Sequence, residues 1–251
     1  MSDEVLSERA QGVLTLTLNR PAKKNALTPA MYVALGEAID AAGQDPDVRA
    51  ILIQANGDAF TGGNDIATFA SDPKAVEAAN VLLRALARAT TPLVAAVHGR
   101  AVGVGVTLLL HCDLVYVAED ALLSTPFANL ALVPEAASSI LLPARIGHPR
   151  AFSMFVLGET VDGRTAAAWG LANAAVPAAE VRARALEAVR AIAARPPGAV
   201  AITKALMRDP AALSRQMDIE GGHFLAQLQT PEAREAFAAF VEKRPADFSR
   251  T

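Results

Sequence analysis

Four short apolar runs separated by helix-length segments fill the first half of this chain, and that alternation leaves few folds open. Val13-Leu14-Thr15-Leu16-Thr17-Leu18 places leucine at every second position, the period of a half-buried strand, and stops at Asn19-Arg20-Pro21. Thr28 is placed to cap a helix that opens with Pro29 and carries Met31, Leu35 and Ile39 on one stripe. Residues 43–47 break the pattern before the apolar run 48–54. A helix over 75–89 stops ahead of Thr90-Thr91-Pro92, and a third strand covers 93–98. A short apolar helix over 106–111 then leads into the strand Asp113-Leu114-Val115-Tyr116-Val117. Strands alternating with helices imply an α/β fold with a largely parallel sheet, whose ligands gather at the carboxyl ends of the strands. Past about residue 135 the strand signal fades. Alanine-rich helices take over, with breaks at Pro143, Gly158, Gly170, Pro177, Pro196-Pro197 and Pro210. Residues 1–197 therefore read as an α/β body and 198–251 as a helical extension.

With 251 residues the chain is long enough to bury a sizeable core within one such unit. Its 23 basic and 26 acidic residues nearly balance, which argues against a nucleic-acid partner. The single cysteine, Cys112, excludes an internal disulfide framework, favours a reducing compartment and reads as an inert core thiol. Met1-Ser2-Asp3-Glu4 carries no apolar signal core, and no apolar run reaches the length of about 18 residues that a membrane span requires. Ser249-Arg250-Thr251 is not a peroxisomal address. A cytoplasmic protein without membrane contact is expected.

Two glycine-rich turns fall at the carboxyl ends of strands. Phe60-Thr61-Gly62-Gly63-Asn64-Asp65-Ile66 follows the run 48–54, and its paired glycines let the backbone approach a ligand while presenting N–H groups. Val97-His98-Gly99-Arg100-Ala101-Val102-Gly103-Val104-Gly105 carries the next strand into a Gly-x-Gly turn, and the helix after it would aim its unpaired N–H groups at an anion. Either turn alone also reads as an ordinary bend or a close-packing contact. Together they read as converging main-chain donors, an oxyanion hole for acyl chemistry.

Other chemistry finds little support. His98, His111, His148 and His223 are scattered, with no pair at metal-ligand spacing. There is no Gly-x-Ser-x-Gly elbow, and Ser138-Ser139 read as packing residues within a helix. No dinucleotide fingerprint occurs. Asp65 reads as a cap for its loop and Asp113 as a tie for a strand end.

The order and flanks of the glycine turns resemble the crotonase (enoyl-CoA hydratase/isomerase) superfamily. Also matching are Leu18-Asn19-Arg20-Pro21 with Asn25-Ala26-Leu27, Cys112-Asp113-Leu114, the run 130–147 and the tail Ala239-Phe240-Val241-Glu242-Lys243-Arg244. The resemblance covers nearly the whole chain in collinear order. It implies a body of repeated ββα units wound into a superhelix, with C-terminal helices that build a homotrimer or a dimer of trimers. It implies an acyl-CoA thioester as the partner, with coenzyme A entering as part of the substrate and neither a separate cofactor nor a metal. Position for position, the oxyanion donors are the N–H groups of Asn64 and Val104, with Gly62, Gly63, Asp65, Ile66 and Gly103 around the substrate. Lys23 and Lys24, beside Ala26, are the nearest basic candidates for the nucleotide, though such a pair is also ordinary solvated surface. Phe224 and Lys243 match positions from which a neighbouring subunit approaches the nucleotide end.

The departures from the family bear most on the reaction. Its hydratases use two glutamates, at positions where this chain has Thr107 and Phe127, and neither can exchange a proton usefully. Another carboxylate, Glu135, stands in Val133-Pro134-Glu135-Ala136 after Pro126-Phe127-Ala128-Asn129-Leu130. This stretch resembles the Δ3,Δ2-enoyl-CoA isomerase branch, which carries its single catalytic glutamate here. The resemblance implies an isomerase that shifts a 3-enoyl-CoA double bond to the 2-position through a dienolate. Pro134-Glu135 also reads as the first turn of a helix, with the carboxylate merely offsetting the dipole. In an apolar setting, desolvation would instead raise the Glu135 pKa toward that of a working base. Two alternatives remain: a hydratase or acyl-CoA hydrolase in which Glu135 directs water, and a CoA-binding subunit without chemistry. The acyl pocket is expected to draw on helix 75–89 and on side chains near Phe127.

Overall fold

The computed structural model describes residues 3–65 and 74–250. It opens with a hairpin of β1 (Val5–Ala10) and β2 (Val13–Leu18), joined through Gln11 and Gly12, both in the left-handed region that tight hairpins need. β1 is mostly exposed, and its sequence carries no alternation that would mark it as a strand. α1 (Pro29–Gln44) begins where Thr28 accepts a hydrogen bond from the Met31 N–H at 3.3 Å, and it buries Met31, Leu35 and Ile39. β3 (Ala50–Ala55), α2 (Ala75–Arg88) and β4 (Leu93–Val97) follow, with α2 packed along α1.

After β4 the chain forms β5 (Arg100–Val102), α3 (Val104–Thr107), β6 (Leu114–Ala118) and β7 (Leu122–Ser124). α4 (Ser138–Ile146), α5 (His148–Phe152), β8 (Thr160–Asp162), α6 (Gly163–Ala168) and β9 (Ala174–Val176) complete the body. Pro143, read as a break, lies inside α4, where burial of Leu142 and Ile146 outweighs the one backbone bond it forfeits. β8 and β9 carry too few residues to register as strands in the sequence.

The main sheet has the order β1-β2-β3-β4-β6-β9 and is parallel from β2 onward. Its register runs through Leu16 beside Ile53, Ile53 beside Ala95 and Ala95 beside Val115. β2 was expected to be half-buried. It is instead covered on both faces, with Leu14, Leu16, Thr17 and Leu18 all buried, as parallel sheets require. A smaller sheet of order β5-β7-β8 stands beside the main one. Because β5 follows β4 after a single turn at Gly99, the loop before α3 is pinned by both sheets.

The helical end of the chain consists of α7 (Val181–Ala193), α8 (Pro197–Met207), α9 (Pro210–Leu228) and α10 (Pro231–Glu242). Proline opens the last three, and Asp209 and Thr230 cap α9 and α10 through the Ala212 and Ala233 N–H groups at 2.9 and 3.2 Å. α7 lies across β3, β4 and β6, and α10 folds back onto the turn at residues 128–130. α8 is tied to the sheet by Lys204, whose buried ammonium donates to Asp113 Oδ2 at 2.7 Å and to the Thr91 carbonyl at 2.9 Å. Asp113 also accepts from the Leu93 N–H at 2.8 Å, the strand-end tie read from the sequence. Asp113→Ala leaves that ammonium buried without its counter-ion, and a loss of about 2–4 kcal/mol is expected. Thermal denaturation would show it as a melting point lower by several degrees; an unchanged melting point would contradict the tie.

Candidate active site

The first glycine turn is built on the segment behind it. Asn25, buried and left-handed, accepts from the Arg20 N–H at 2.7 Å and donates to the carbonyls of Asn56 and Ala59 at 2.8 and 2.7 Å. The Thr61 hydroxyl donates to the Asn25 carbonyl at 2.7 Å and accepts from the Gly63 N–H at 3.1 Å. The Gly62 N–H reaches the Lys24 carbonyl at 2.8 Å. The Leu27 N–H reaches Gly63 at 2.8 Å, and the Asp65 N–H reaches Leu27 at 3.0 Å. Every neighbour of Asn64 is thus engaged, while the Asn64 N–H has no acceptor among the described residues. Its side-chain oxygen takes a short hydrogen bond from the Tyr32 hydroxyl, and this bond fixes the residue from the α1 side.

In the second turn the Gly103 N–H donates to the Ser124 carbonyl of β7 at 2.9 Å, and the Gly103 carbonyl receives Val106 and Thr107 at 2.9 and 3.1 Å. That pattern starts the helix at Val104 rather than at 106. It continues over Leu108–His111 only as a tighter 3-10 turn. So short a helix has little macrodipole, and the Val104 N–H at its start has no acceptor among the described residues, nor does the Gly105 N–H that follows it. The two turns touch. A Cβ at Gly63 would come within 2.8 Å of the Val102 carbonyl oxygen, and one at Gly105 within 2.4 Å of the Thr61 methyl group.

Asn64 and Val104 both line a cavity of about 360 Å³, walled by Pro126, Phe127, Leu130 and Leu132 and by Phe224, Phe237 and Phe240 from α9 and α10. Glu135 lies half-buried on the same wall. Its carboxylate accepts from the Thr107 hydroxyl at 2.5 Å. Burial raises its pKa to about 7; the Thr107 bond opposes the rise and the Glu220 charge adds to it. Tyr32, raised by burial and then by Glu135, stays a neutral donor. A larger depression of about 700 Å³ lies beneath α8 between Leu110, Arg145, Lys204 and Met207, but neither glycine turn reaches it.

The remaining sequence candidates separate clearly. Gly62, Gly63, Asn64, Gly103, Val104, Phe127, Glu135 and Phe224 surround the cavity. Glu135 is not in a helix first turn: α4 starts three residues later, after Ala136 and Ala137 in left-handed conformation. Asp65 pairs with Arg20 at 2.8 Å as a loop cap, while Ile66 lies outside the described residues. Lys23 and Lys24 are exposed and do not line the cavity, Lys24 pairing with Asp58 at 2.5 Å, and the Ala26 carbonyl is held by Arg20 at 3.1 Å. Phe224 lines the cavity within its own chain, where α9 packs on the body. Lys243 ends α10 exposed and left-handed, and the adjacent Arg244 is the one that borders the cavity. α2 contributes nothing to this wall, and α10 stands in the expected place of helix 75–89. Sequence reasoning missed Thr107 as a partner for Glu135, although its spacing of three from Val104 puts both on one side of a helical turn. Asn25 gave no signal beyond its place in a turn.

The chain belongs to the enoyl-CoA hydratase/isomerase family, which matches residues 8–251. It is 30% identical to 1,2-epoxyphenylacetyl-CoA isomerase of Escherichia coli (strain K12), over 99% of each chain. It is 31% identical to 2,3-dehydroadipyl-CoA hydratase of the same strain, over 98% of each. The crystal structure of an enoyl-CoA hydratase/isomerase from Pseudoalteromonas atlantica T6c superposes with a TM-score of 0.94 at 38% identity, covering 98% of this chain and 100% of that one. The crotonase-like α/β fold expected from the sequence is the one observed. No described helix is long and apolar enough to cross a membrane.

Because the folded carboxyl of Glu135 holds its proton more tightly than an unfolded one, folding stability falls as pH rises from about 4.5 to about 7. Carbon NMR of labelled glutamate side chains is expected to show one carboxyl titrating near pH 7. Thr107→Val should move that midpoint upward, since the lost hydroxyl bond favoured the ionised form. A midpoint near about 4.3, the unperturbed value, would refute the desolvated setting.

Proposed function

We propose that this protein is an enoyl-CoA isomerase that moves a 3-enoyl-CoA double bond to the 2-position. The observation that carries this reading is Glu135, the one carboxylate among the described residues that line a small apolar cavity, together with Asn64 and Val104, whose main-chain N–H groups have no acceptor among the described residues. The thioester oxygen is taken by the Asn64 and Val104 N–H groups, each contributing about 3 kcal/mol in the transition state. Glu135, with a pKa near 7, removes a proton from C2, and the electron pair delocalises into the carbonyl and the 3,4 double bond as a dienolate. The same carboxyl returns the proton at C4, so the base is regenerated and no metal or redox cofactor is required. Thr107 holds the carboxylate from α3, where a hydratase would place a second acid. Phe127 stands at the other such position, and Glu135 is the one carboxylate among the described residues of this wall.

Coenzyme A enters as part of the substrate, and the chain works as a homotrimer or a dimer of trimers. In support of assembly, Ile202, Leu206 and Met207 on α8 are exposed in the single chain, an apolar surface of the kind that subunits cover. Light scattering is expected to give three or six times the chain mass of 26.1 kDa; a monomer would overturn this part.

Glu135→Gln is expected to lower turnover of a 3-enoyl-CoA by about 100-fold or more, with thioester binding within a few fold of the parent. Retained turnover would remove Glu135 from the reaction, and hydration of a 2-enoyl-CoA without isomerisation would favour the hydratase reading.

A further inference from the structure

Behind Glu135 the chain makes a turn that alanine disfavours. Ala136 and Ala137 follow each other with φ of +60° and +56°, both in the left-handed region and neither a glycine. Such a pair persists only where its surroundings dictate it. Two buried grips do so here. On one side the His111 Nε2–H donates to the Ala136 carbonyl at 2.8 Å. Its Nδ1 accepts from the Arg208 guanidinium at 2.7 Å, and because that partner can only donate, the tautomer is fixed. On the other side the Glu220 carboxylate accepts from the Ala137 N–H at 2.6 Å, from the Ser139 N–H at 3.0 Å and, in a short bond, from the Ser139 hydroxyl. Gln216, one turn earlier on α9, donates to the same hydroxyl at 2.9 Å.

Glu220 is out of place by the logic of its own helix. α9 buries Leu213, Met217, Glu220 and Phe224, and a carboxylate in such an apolar stripe is costly unless its hydrogen bonds are met. Its partners are all in the turn that carries Glu135. One helical turn further on, Phe224 forms part of the cavity wall. We propose that Glu220 is a positioning residue, clamping the left-handed turn at Ala136 and Ala137 so that Glu135 is aimed at the carbon beside the thioester carbonyl. The inference rests on the isomerase reading above. It makes α9 part of the catalytic apparatus.

The test is Glu220→Gln, which keeps size but turns an amide N–H₂ toward main-chain donors. The expected result is a kcat lower by about 100-fold, as small misalignments of a reacting group produce, with KM within threefold. One binding site per chain for a saturated acyl-CoA, counted by calorimetry, should be retained. Adding Ala137→Gly, which makes the left-handed turn inexpensive, should recover kcat by at least about fivefold, a gain that repair of folding alone would not give. A kcat within twofold of the parent overturns the proposal. So does a fall in kcat matched by an equal loss of binding sites, since Glu220 would then only support folding. Should that variant not fold, Ser139→Ala removes one of the three bonds and should lower kcat several-fold at constant KM; no change would equally overturn it. Glu135→Gln measured alongside separates the two readings. If it stays active, the isomerase mechanism fails; if it is inactive while Glu220→Gln is normal, only the clamp fails.

Discussion

The site depends on one seam. The Thr61 N–H bonds to the Arg100 carbonyl at 2.9 Å and the Val102 N–H to the Thr61 carbonyl at 3.1 Å, a parallel bridge that joins the loop after β3 to β5. Parallel strands bring β3 and β4 to the same edge of the sheet, but the sheet alone would leave their loops splayed. The bridge draws them together until Gly63 lies against Val102 and Gly105 against Thr61, distances at which no side chain fits. The Gly63, Asp65 and Gly103 N–H groups are spent within the fold, while Asn64 and Val104, whose N–H groups have no acceptor among the described residues, both line the cavity.

The largely apolar lining of the cavity bears directly on Glu135. Phenylalanine and leucine make up much of its wall, and desolvation lifts the Glu135 pKa to about 7, where a carboxylate is a stronger base. Thr107 moderates that rise by favouring the ionised form. The neutral groups nearby are held so by burial: His111 is depressed to about 3, and Cys112, pushed up to about 12, is no nucleophile.

Much of this architecture is legible along the chain. The cap at Thr28, the stripe Met31-Leu35-Ile39 and the runs that become β2, β3, β4 and β6 announce themselves through periodicity, and the glycine turns through composition. β1 escapes notice because an exposed edge strand has no buried face to pattern. The start of α3 is misjudged because a helix so short has no repeat to read. The wall of the cavity was assigned to the wrong helix, since amphipathicity tells which face of α2 is buried but not what it is buried against.

The α/β class, the placing of two glycine turns at strand ends and the lack of a carboxylate at positions 107 and 127 were legible in the sequence alone. These follow from local patterns, in which each residue's meaning is set by neighbours a few positions away. Tertiary structure alone decided that Thr107, 28 residues from Glu135, would hold its carboxylate, and that Glu220 would grip Ala137 from 83 residues away. It also decided that α10 would close the cavity of its own chain. Pairings of that range are selected by packing of the whole body, because the groups that meet carry no common periodicity along the chain.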